Sequence, residues 1–141
     1  MKKILTVGVF DYLHLGHVKL FERAKACGDY LVVAVQDSEV VGKYKSGCEL
    51  FYSTEERIYM VSSIKFVDEV ITYEAVDDIV KKICFDIFVV GPDQDHEGFQ
   101  RAKEWCQQNG KMVVVLPRTK GISSTLVKSI TTDILPKSIQ R

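Results

Sequence analysis

The sequence lacks the features that mark several large classes of protein. Its 19 basic and 19 acidic side chains cancel, so there is no surplus of positive charge to neutralise the phosphates of a nucleic acid. No apolar run approaches the length of a membrane span. The first apolar run, Ile4 to Phe10, is interrupted by Asp11 and His14 with no small-residue cleavage site after it, so a signal peptide is not expected. We therefore expect a cytoplasmic protein that binds neither nucleic acid nor a membrane.

Cysteine and histidine are also scarce. The four cysteines form no C-x-x-C pair and the chain has only three histidines, so the usual ligand spacings of a zinc site are missing. We expect reduced and mostly buried thiols, because cysteine is commonly buried and the expected compartment is reducing. These cysteines are Cys27, Cys48, Cys84 and Cys106.

What the sequence does contain is an alternation of apolar runs with amphipathic segments. Its 141 residues, 46% of them hydrophobic, predict a single α/β domain over residues 1–141 with a frayed tail at 133–141. The predicted strands are Ile4–Phe10, Tyr30–Val35, Val67–Thr72, Asp86–Val90 and Met112–Leu116. The predicted helices run from His17 or Val18 to Cys27, from a capping box at Ser53–Glu56 to Ile64, over Asp77–Cys84, over Phe99–Asn109, and from near Leu126 onward. This order indicates a doubly wound, Rossmann-like parallel sheet of about five strands.

Three chemically unusual segments each follow a predicted strand. They are Gly8–His17, Gly91–Asp95 and Arg118–Thr125. In doubly wound sheets, ligands bind outside the carboxyl ends of the strands. The three segments are therefore expected to converge on one crevice.

The first of these segments contains His14-Leu15-Gly16-His17. Gly16 permits close approach of a ligand to the backbone. His17 is expected at or near a helix N-terminus, where unpaired N–H groups and the helix dipole favour an anion. Two imidazoles there could donate hydrogen bonds to phosphate oxygens, although a plain helix cap is the alternative for so short a motif. A metal pair is less favoured, because the spacing does not place both rings on one helix face.

The third segment, Arg118–Thr125, reads RTKGISST. It combines two cations, a glycine and three hydroxyl groups that lead into the last predicted helix. These are the donors that an extended polyphosphate needs. The alternative for this segment alone is an ordinary capped helix after a solvated loop.

Together, Gly8–His17 (GVFDYLHLGH) and Arg118–Thr125 resemble the signature pair of the H-x-G-H nucleotidyltransferases, and the sequence is most similar to their glycerol-3-phosphate cytidylyltransferase group. The likeness extends from about Lys3 to Ile130. It implies an enzyme in which a phosphorylated small molecule attacks the α-phosphorus of a nucleoside triphosphate, CTP in our leading hypothesis, and releases pyrophosphate without a covalent intermediate. It also implies Mg²⁺ bound through the phosphates rather than in a protein cage, and a homodimer.

The resemblance assigns roles by position. Catalytic roles fall to His14 and His17 and to Lys43 and Lys45, which match lysines of a mobile loop. Acceptor binding falls to Asp11, Arg57 and Lys65, and Asp11 could also help to coordinate Mg²⁺. The residues assigned to the nucleotide are Gly8, Val9, Phe10, Gly16, Asp93, Arg118, Thr119, Ile122, Ser123, Ser124 and Thr125.

The departures from the family pattern bear on the acceptor. Val9 stands where a small hydroxyl residue is usual, and Lys65 stands where arginine is usual, which changes a two-pronged phosphate contact. The segment 91–98, GPDQDHEG, replaces a glycine, two aspartates and a tryptophan. Our hypothesis is CMP transfer to a small phosphorylated polyol. The alternatives are an adenylyltransferase acting on a sugar phosphate, flavin mononucleotide or a pantetheine phosphate, and a nucleotide-binding subunit without catalysis.

Overall fold

The computed structural model describes residues 1–37 and 50–117. Five parallel strands form one sheet in the order β3-β2-β1-β4-β5. The strands are β1 Lys3–Gly8, β2 Tyr30–Gln36, β3 Glu69–Tyr73, β4 Ile87–Val90 and β5 Met112–Val115, and the helices are α1 Leu15–Ala26, α2 Thr54–Ser62, α3 Val76–Lys82 and α4 Glu97–Gln108. The predicted Rossmann-like α/β fold is confirmed. The last predicted helix and the tail at 133–141 lie outside the described residues.

Alternate residues of each strand point to opposite faces of the sheet. Helices cover both faces, so both sets of side chains are buried. On one side, Leu5, Val7 and Phe88 pack with residues of α3 and α4 in one core cluster. On the other, Ile4 and Val33 belong to a second cluster that includes residues of α1 and α2. This two-sided burial explains why the central strands are apolar runs rather than alternating patterns.

The predicted element ends differ from the observed ones by up to three residues, and two of the differences have a clear cause. β1 ends at Gly8 instead of Phe10 because Phe10 has a φ of 56°, which a strand cannot accommodate. β3 begins at Glu69 instead of Val67. Asp68 precedes it and accepts a hydrogen bond from the N–H of Leu31 with its side chain (2.7 Å).

Within the described ranges, no helix has both the length and the apolar character that a bilayer crossing requires. The longest helices there, α1 and α4, have 12 residues each.

Two glycines follow helices, for different physical reasons. Gly110, after α4, has a φ of +73°, the left-handed conformation predicted for a residue just past a helix end. Gly28, after α1, is required by crowding instead. A Cβ there would lie 2.4 Å from Ile4 Cδ1 and 2.9 Å from the carbonyl oxygen of Lys2, and that oxygen also accepts hydrogen bonds from the N–H groups of Asp29 and Tyr30.

We therefore expect Gly28→Ala to lower the free energy of unfolding by about 1–3 kcal/mol, the usual cost of overpacking. Urea denaturation of the purified variant measures this. Gly91→Ala is the matched control, because a Cβ at Gly91 has no neighbour within 4 Å, and its effect should stay below about 1 kcal/mol. Equal midpoints for the two variants would contradict the crowding argument.

Candidate active site

The chain turns sharply where β1 ends. Phe10 and Tyr12 have φ values of 56° and 51°, a region that non-glycine residues rarely adopt. Burial of Phe10, which is 5% exposed, offsets this strain. Its ring contacts Phe21 and His17 edge-on, with centroid distances of 5.1 and 5.5 Å. Gly8 is needed beneath that ring, since a Cβ there would lie 2.8 Å from it. The turn thus packs back over β1 and presents the start of α1 at the carboxyl edge of the sheet.

The two histidines of this turn cap α1 reciprocally. The N–H of Gly16 donates to Nδ1 of His14 (3.0 Å), and the N–H of His14 donates to Nδ1 of His17 (3.2 Å). The two rings stack with centroids 4.0 Å apart. A neutral imidazole that accepts at Nδ1 carries its proton on Nε2. Helix capping and phosphate binding, which are alternatives at the level of sequence, are therefore compatible, because capping fixes the Nε2–H tautomer in both rings.

Burial also favours the neutral form of both rings. It lowers the pKa of His14 below the usual value. The pKa of His17 falls to about 4, mainly through burial and secondarily through the neighbouring His14. At neutral pH the pair thus consists of two uncharged hydrogen-bond donors at the N-terminus of a helix, where an anion is favoured.

Asp11 and Arg57 lie beside this turn, but their polar atoms bind the protein's own backbone. The Asp11 carboxylate is buried and accepts hydrogen bonds from the N–H groups of Phe51 (2.8 Å) and Tyr52 (3.0 Å). Arg57 is fully buried. Its Nη1 donates to the carbonyl oxygens of Val9 and Gln36, each at 2.8 Å. The two residues tie the ends of β1 and β2 to the chain entering α2. Their acceptor-binding role remains a prediction.

Lys65 is not brought together with the histidines. It lies between the end of α2 and the start of β3, at the amino edge of the sheet, with its ammonium 5.1 Å from the Phe66 ring centroid. The position of Lys65 therefore does not support a role in binding the acceptor within the crevice of the same chain.

Gln94 is a residue whose role sequence reasoning missed. β1 and β4 pair only at Ile4–Ile87 and Leu5–Phe88, so the two strands separate toward their carboxyl ends. The Gln94 side chain bridges them there. Its Nε2 donates to the carbonyl oxygen of Val7 (2.7 Å), and its Oε1 accepts from the N–H of Gly91 (3.0 Å). Strand order reverses between β1 and β4, which is where such sheets bind ligands. The location of Gln94 shortly after a predicted strand, at this reversal, was the feature from which its role could have been inferred.

A cleft of about 510 Å³ opens beside this point, between the ends of β1, β2 and β3 and the starts of α3 and α4. Its lining includes Gly8, Val9, Tyr73, Asp77, Asp93 and His96. His96 caps α4 as His14 caps α1, since its Nδ1 accepts from the N–H two residues on, at Gly98 (3.1 Å). The structure thus brings Gly8, Val9 and Asp93, which the resemblance assigns to the nucleotide, together with Tyr73 and His96 at one cleft, and the nucleotide-binding role of the first three remains a prediction.

Residues 1–37 and 50–117 contain no group of three or more histidine, cysteine or acidic side chains placed to hold a metal ion. Asp11, the predicted candidate for Mg²⁺, uses both carboxylate oxygens on backbone N–H groups. The described residues therefore do not fit a protein-built metal site.

The remaining predicted site residues lie outside the described residues. These are Lys43, Lys45, Arg118, Thr119, Ile122, Ser123, Ser124 and Thr125. The last described residue before the second motif, Pro117, accepts a hydrogen bond from Nη1 of Arg23 in α1 (3.2 Å).

The low pKa of His17 makes stability depend on pH. The ordinary pKa of 6.5 applies to the unfolded chain, whereas the folded value is about 4. Between these values the unfolded chain binds more protons, so the free energy of unfolding decreases as the pH falls. We expect a loss of roughly 2–3 kcal/mol over this range from His17.

Urea denaturation at a series of pH values measures this loss. His17→Gln is the matched variant, because glutamine at this position keeps an acceptor for the cap but does not titrate. Its unfolding free energy should depend less on pH than that of the wild type. Identical slopes for the two proteins between these pH values would contradict the argument.

Comparison with known proteins agrees with this geometry. Residues 5–130 match the model of the family described as cytidylyltransferase-like. The chain is 42% identical over 132 residues to glycerol-3-phosphate cytidylyltransferase of Bacillus subtilis, covering 91% of this chain and 95% of that protein. The corresponding enzyme of Staphylococcus aureus is 39% identical over 132 residues, covering 91% and 93%. An FAD synthase of Pyrococcus abyssi is 32% identical over 138 residues, covering 92% of each chain.

Among solved structures, the lipopolysaccharide core biosynthesis protein from Thermoplasma volcanium superposes with a TM-score of 0.70 at 27% identity, covering 86% of this chain and 99% of that one. The family match covers most of the sequence and includes the histidine turn. The chain therefore belongs to the cytidylyltransferase-like family, and it is a nucleotidyltransferase enzyme.

Proposed function

We propose that the protein transfers CMP from CTP to a small phosphorylated polyol and releases pyrophosphate. The observation that carries the phosphate chemistry is the pair of neutral histidines at the start of α1. The choice of CTP and of a glycerol-3-phosphate-like acceptor is supported by relatives of about 40% identity named as glycerol-3-phosphate cytidylyltransferases.

In the proposed reaction an oxygen of the acceptor phosphate forms a bond to the α-phosphorus of CTP. The bond from that phosphorus to the oxygen shared with the β-phosphate breaks, and pyrophosphate leaves with that oxygen. Attacking and departing oxygens are both anionic near neutral pH, so the chemistry needs no general base. His14 and His17 accordingly act as hydrogen-bond donors through Nε2–H to the phosphate oxygens, where negative charge is concentrated in the transition state.

The other predicted residues complete this arrangement. Lys43 and Lys45 clamp the phosphates and exclude water. Asp93 accepts ribose hydroxyls, and the motif from Arg118 to Thr125 holds the nucleotide and the departing phosphates. Mg²⁺ held by the triphosphate, rather than by the protein, would neutralise part of its charge, consistent with its preference for phosphates and few protein ligands.

We propose a cytoplasmic homodimer. The cysteines of the described residues, Cys27, Cys84 and Cys106, are free thiols, the state that a reducing compartment maintains. The dimer rests on the family resemblance. Light scattering on the purified protein should give twice the 16.0 kDa mass of one chain, and a monomer mass at micromolar concentration would contradict it.

A pyrophosphate-release assay with CTP and with ATP, each with phosphorylated acceptors, tests the proposed reaction. We expect kcat/KM with CTP to exceed that with ATP by about tenfold or more. The FAD synthase relatives support a second candidate, adenylyl transfer, and preference for ATP with flavin mononucleotide would establish it instead. Nucleotide binding without turnover under all conditions would favour a non-catalytic subunit.

Substitutions of His14 and His17 test whether the turnover measured in this assay depends on the histidine pair. His14→Ala and His17→Ala should each lower kcat by about 10²–10³, because each loses a donor to the transition state. His14→Asn separates catalysis from folding, since asparagine is a good helix cap but does not extend to the position of Nε2. It should retain the wild-type unfolding midpoint and lose activity like the alanine variant. Full activity in His14→Asn would show that capping is the only role of His14.

A further inference from the structure

The cleft differs in charge from the histidine turn. The ionisable side chains that line it include three carboxylates, those of Glu74, Asp77 and Asp93, and one guanidinium, that of Arg101. Nε of Arg101 already lies 2.9 Å from Oδ2 of Asp77. Among the described lining residues, carboxylates therefore outnumber cations, which disfavours a phosphate there. The cleft is suited to a part of a ligand that carries no negative charge, and the phosphates belong at the start of α1.

Tyr73 contributes a hydroxyl to this cleft. The residue is 7% exposed and its ring packs in the core cluster beneath α3 and α4. Within residues 1–37 and 50–117, Thr6 Oγ1 is the only fully buried side-chain oxygen or nitrogen without a partner, so the Tyr73 hydroxyl, which makes no hydrogen bond there, is accessible to water. Burial of the residue raises the pKa of this hydroxyl well above its ordinary value, so it is a proton donor at any physiological pH. A hydroxyl group of a ligand in the cleft can take the place of that water.

His96 contributes a second oriented donor. Its Nδ1 is occupied by the N–H of Gly98 (3.1 Å), and its ring lies edge-on to Phe99 at 4.6 Å between centroids. Gly98 leaves room for this orientation, since a Cβ there would lie 2.9 Å from the imidazole. An imidazole that accepts at Nδ1 donates through Nε2, so His96 presents a donor at the wall of the cleft. Donors from Tyr73 and His96 facing carboxylate acceptors match the hydroxyl group, which both donates and accepts.

The position of the cleft in the sheet favours the acceptor over the nucleotide. Tyr73 ends β3, at one edge of the sheet, whereas Pro117, the last described residue before the nucleotide motif, follows β5 at the opposite edge. Four strand spacings separate the two edges, about 19 Å. The end of β1 lies between them and is open to both substrates.

The cleft is also larger than a three-carbon polyol. Its volume is about 510 Å³, whereas glycerol displaces roughly three to four waters, or about 100 Å³. Two of the three departures from the family pattern, Val9 and the segment 91–98, contribute residues to the lining, whereas the third, Lys65, lies at the amino edge of the sheet. The differences at the carboxyl edge are thus in residues that would surround the acceptor.

We propose that this cleft binds the hydroxyl-bearing end of a phosphorylated acceptor longer than three carbons, and that Tyr73 and His96 are the donors that determine its specificity. The inference rests on the proposed cytidylyl transfer and specifies its acceptor. It predicts an order among acceptors: a five-carbon polyol phosphate is used better than glycerol 3-phosphate. It is also used better than a cationic amino-alcohol phosphate, because hydroxyl groups accept from both donors, whereas an ammonium group is attracted by the carboxylates but accepts from neither donor.

Steady-state kinetics with CTP and three acceptors tests this order. The acceptors are ribitol 5-phosphate, glycerol 3-phosphate and phosphoethanolamine. We expect kcat/KM for ribitol 5-phosphate to exceed that for glycerol 3-phosphate by about tenfold or more. A preference for glycerol 3-phosphate would overturn the inferred length, and a preference for phosphoethanolamine would overturn hydroxyl recognition. Absence of turnover with CTP and all three would overturn the proposed function and this inference together.

Two variants test the donors themselves. Tyr73→Phe removes only the hydroxyl, and His96→Asn keeps a helix cap but shortens the donor. Each should raise KM for ribitol 5-phosphate about three- to tenfold, the worth of one hydrogen bond, with KM for CTP unchanged. Tyr59→Phe is the matched control, because Tyr59 is 77% exposed on α2. If the Tyr73 and His96 variants instead raise KM for CTP and not for the acceptor, the cleft holds the nucleoside and the inference is wrong while the proposed function stands.

Discussion

At the carboxyl edge of this sheet the strands separate, and their backbone N–H and C=O groups need hydrogen-bond partners from outside the sheet. Carbonyl and N–H groups that leave a sheet lose their ladder partners, and burying them unpaired is costly. Here side chains replace the missing partners. Arg57 donates to the carbonyl oxygens of Val9 and Gln36, and Gln94 bridges Val7 and Gly91. The crevice exists because these side chains hold the strand ends apart in fixed positions.

The same requirement prepares the histidines for chemistry. The bonds that cap α1 occupy Nδ1 of His14 and His17 and direct their protons to Nε2, while burial keeps the rings uncharged. A donor whose tautomer, orientation and charge are set before the ligand arrives pays little reorganisation cost in the transition state. His96 repeats the arrangement at the start of α4. In the proposed reaction, histidines that cap helices at the edge of the sheet thus contact the phosphates on one side and the acceptor on the other.

Charge separates the two halves of the crevice. Neutral donors and a helix N-terminus at the histidine turn favour anions, whereas carboxylates dominate the ionisable lining of the cleft. A phosphorylated polyol has the complementary distribution, with its charge at one end and hydroxyl groups at the other. In the proposed reaction this complementarity would orient the acceptor with its phosphate toward the histidines, and orientation is a large part of what catalysis of phosphoryl transfer requires.

The sequence by itself determined the α/β alternation, the capping box at Ser53–Glu56 and the importance of the histidine turn, because these depend on local spacing and on residue types that act within one or two helical turns. Tertiary structure decided the rest. The resemblance assigns Arg57 to the acceptor, a role that remains a prediction, and the structure adds that Arg57 is buried and donates to the carbonyl oxygens of Val9, just past β1, and of Gln36 in β2. Gln94 bridges strands that are distant in sequence, and Tyr73 gains its significance only from the cleft above it. No local pattern encodes such contacts, since partners far apart in the chain meet only when the sheet is assembled.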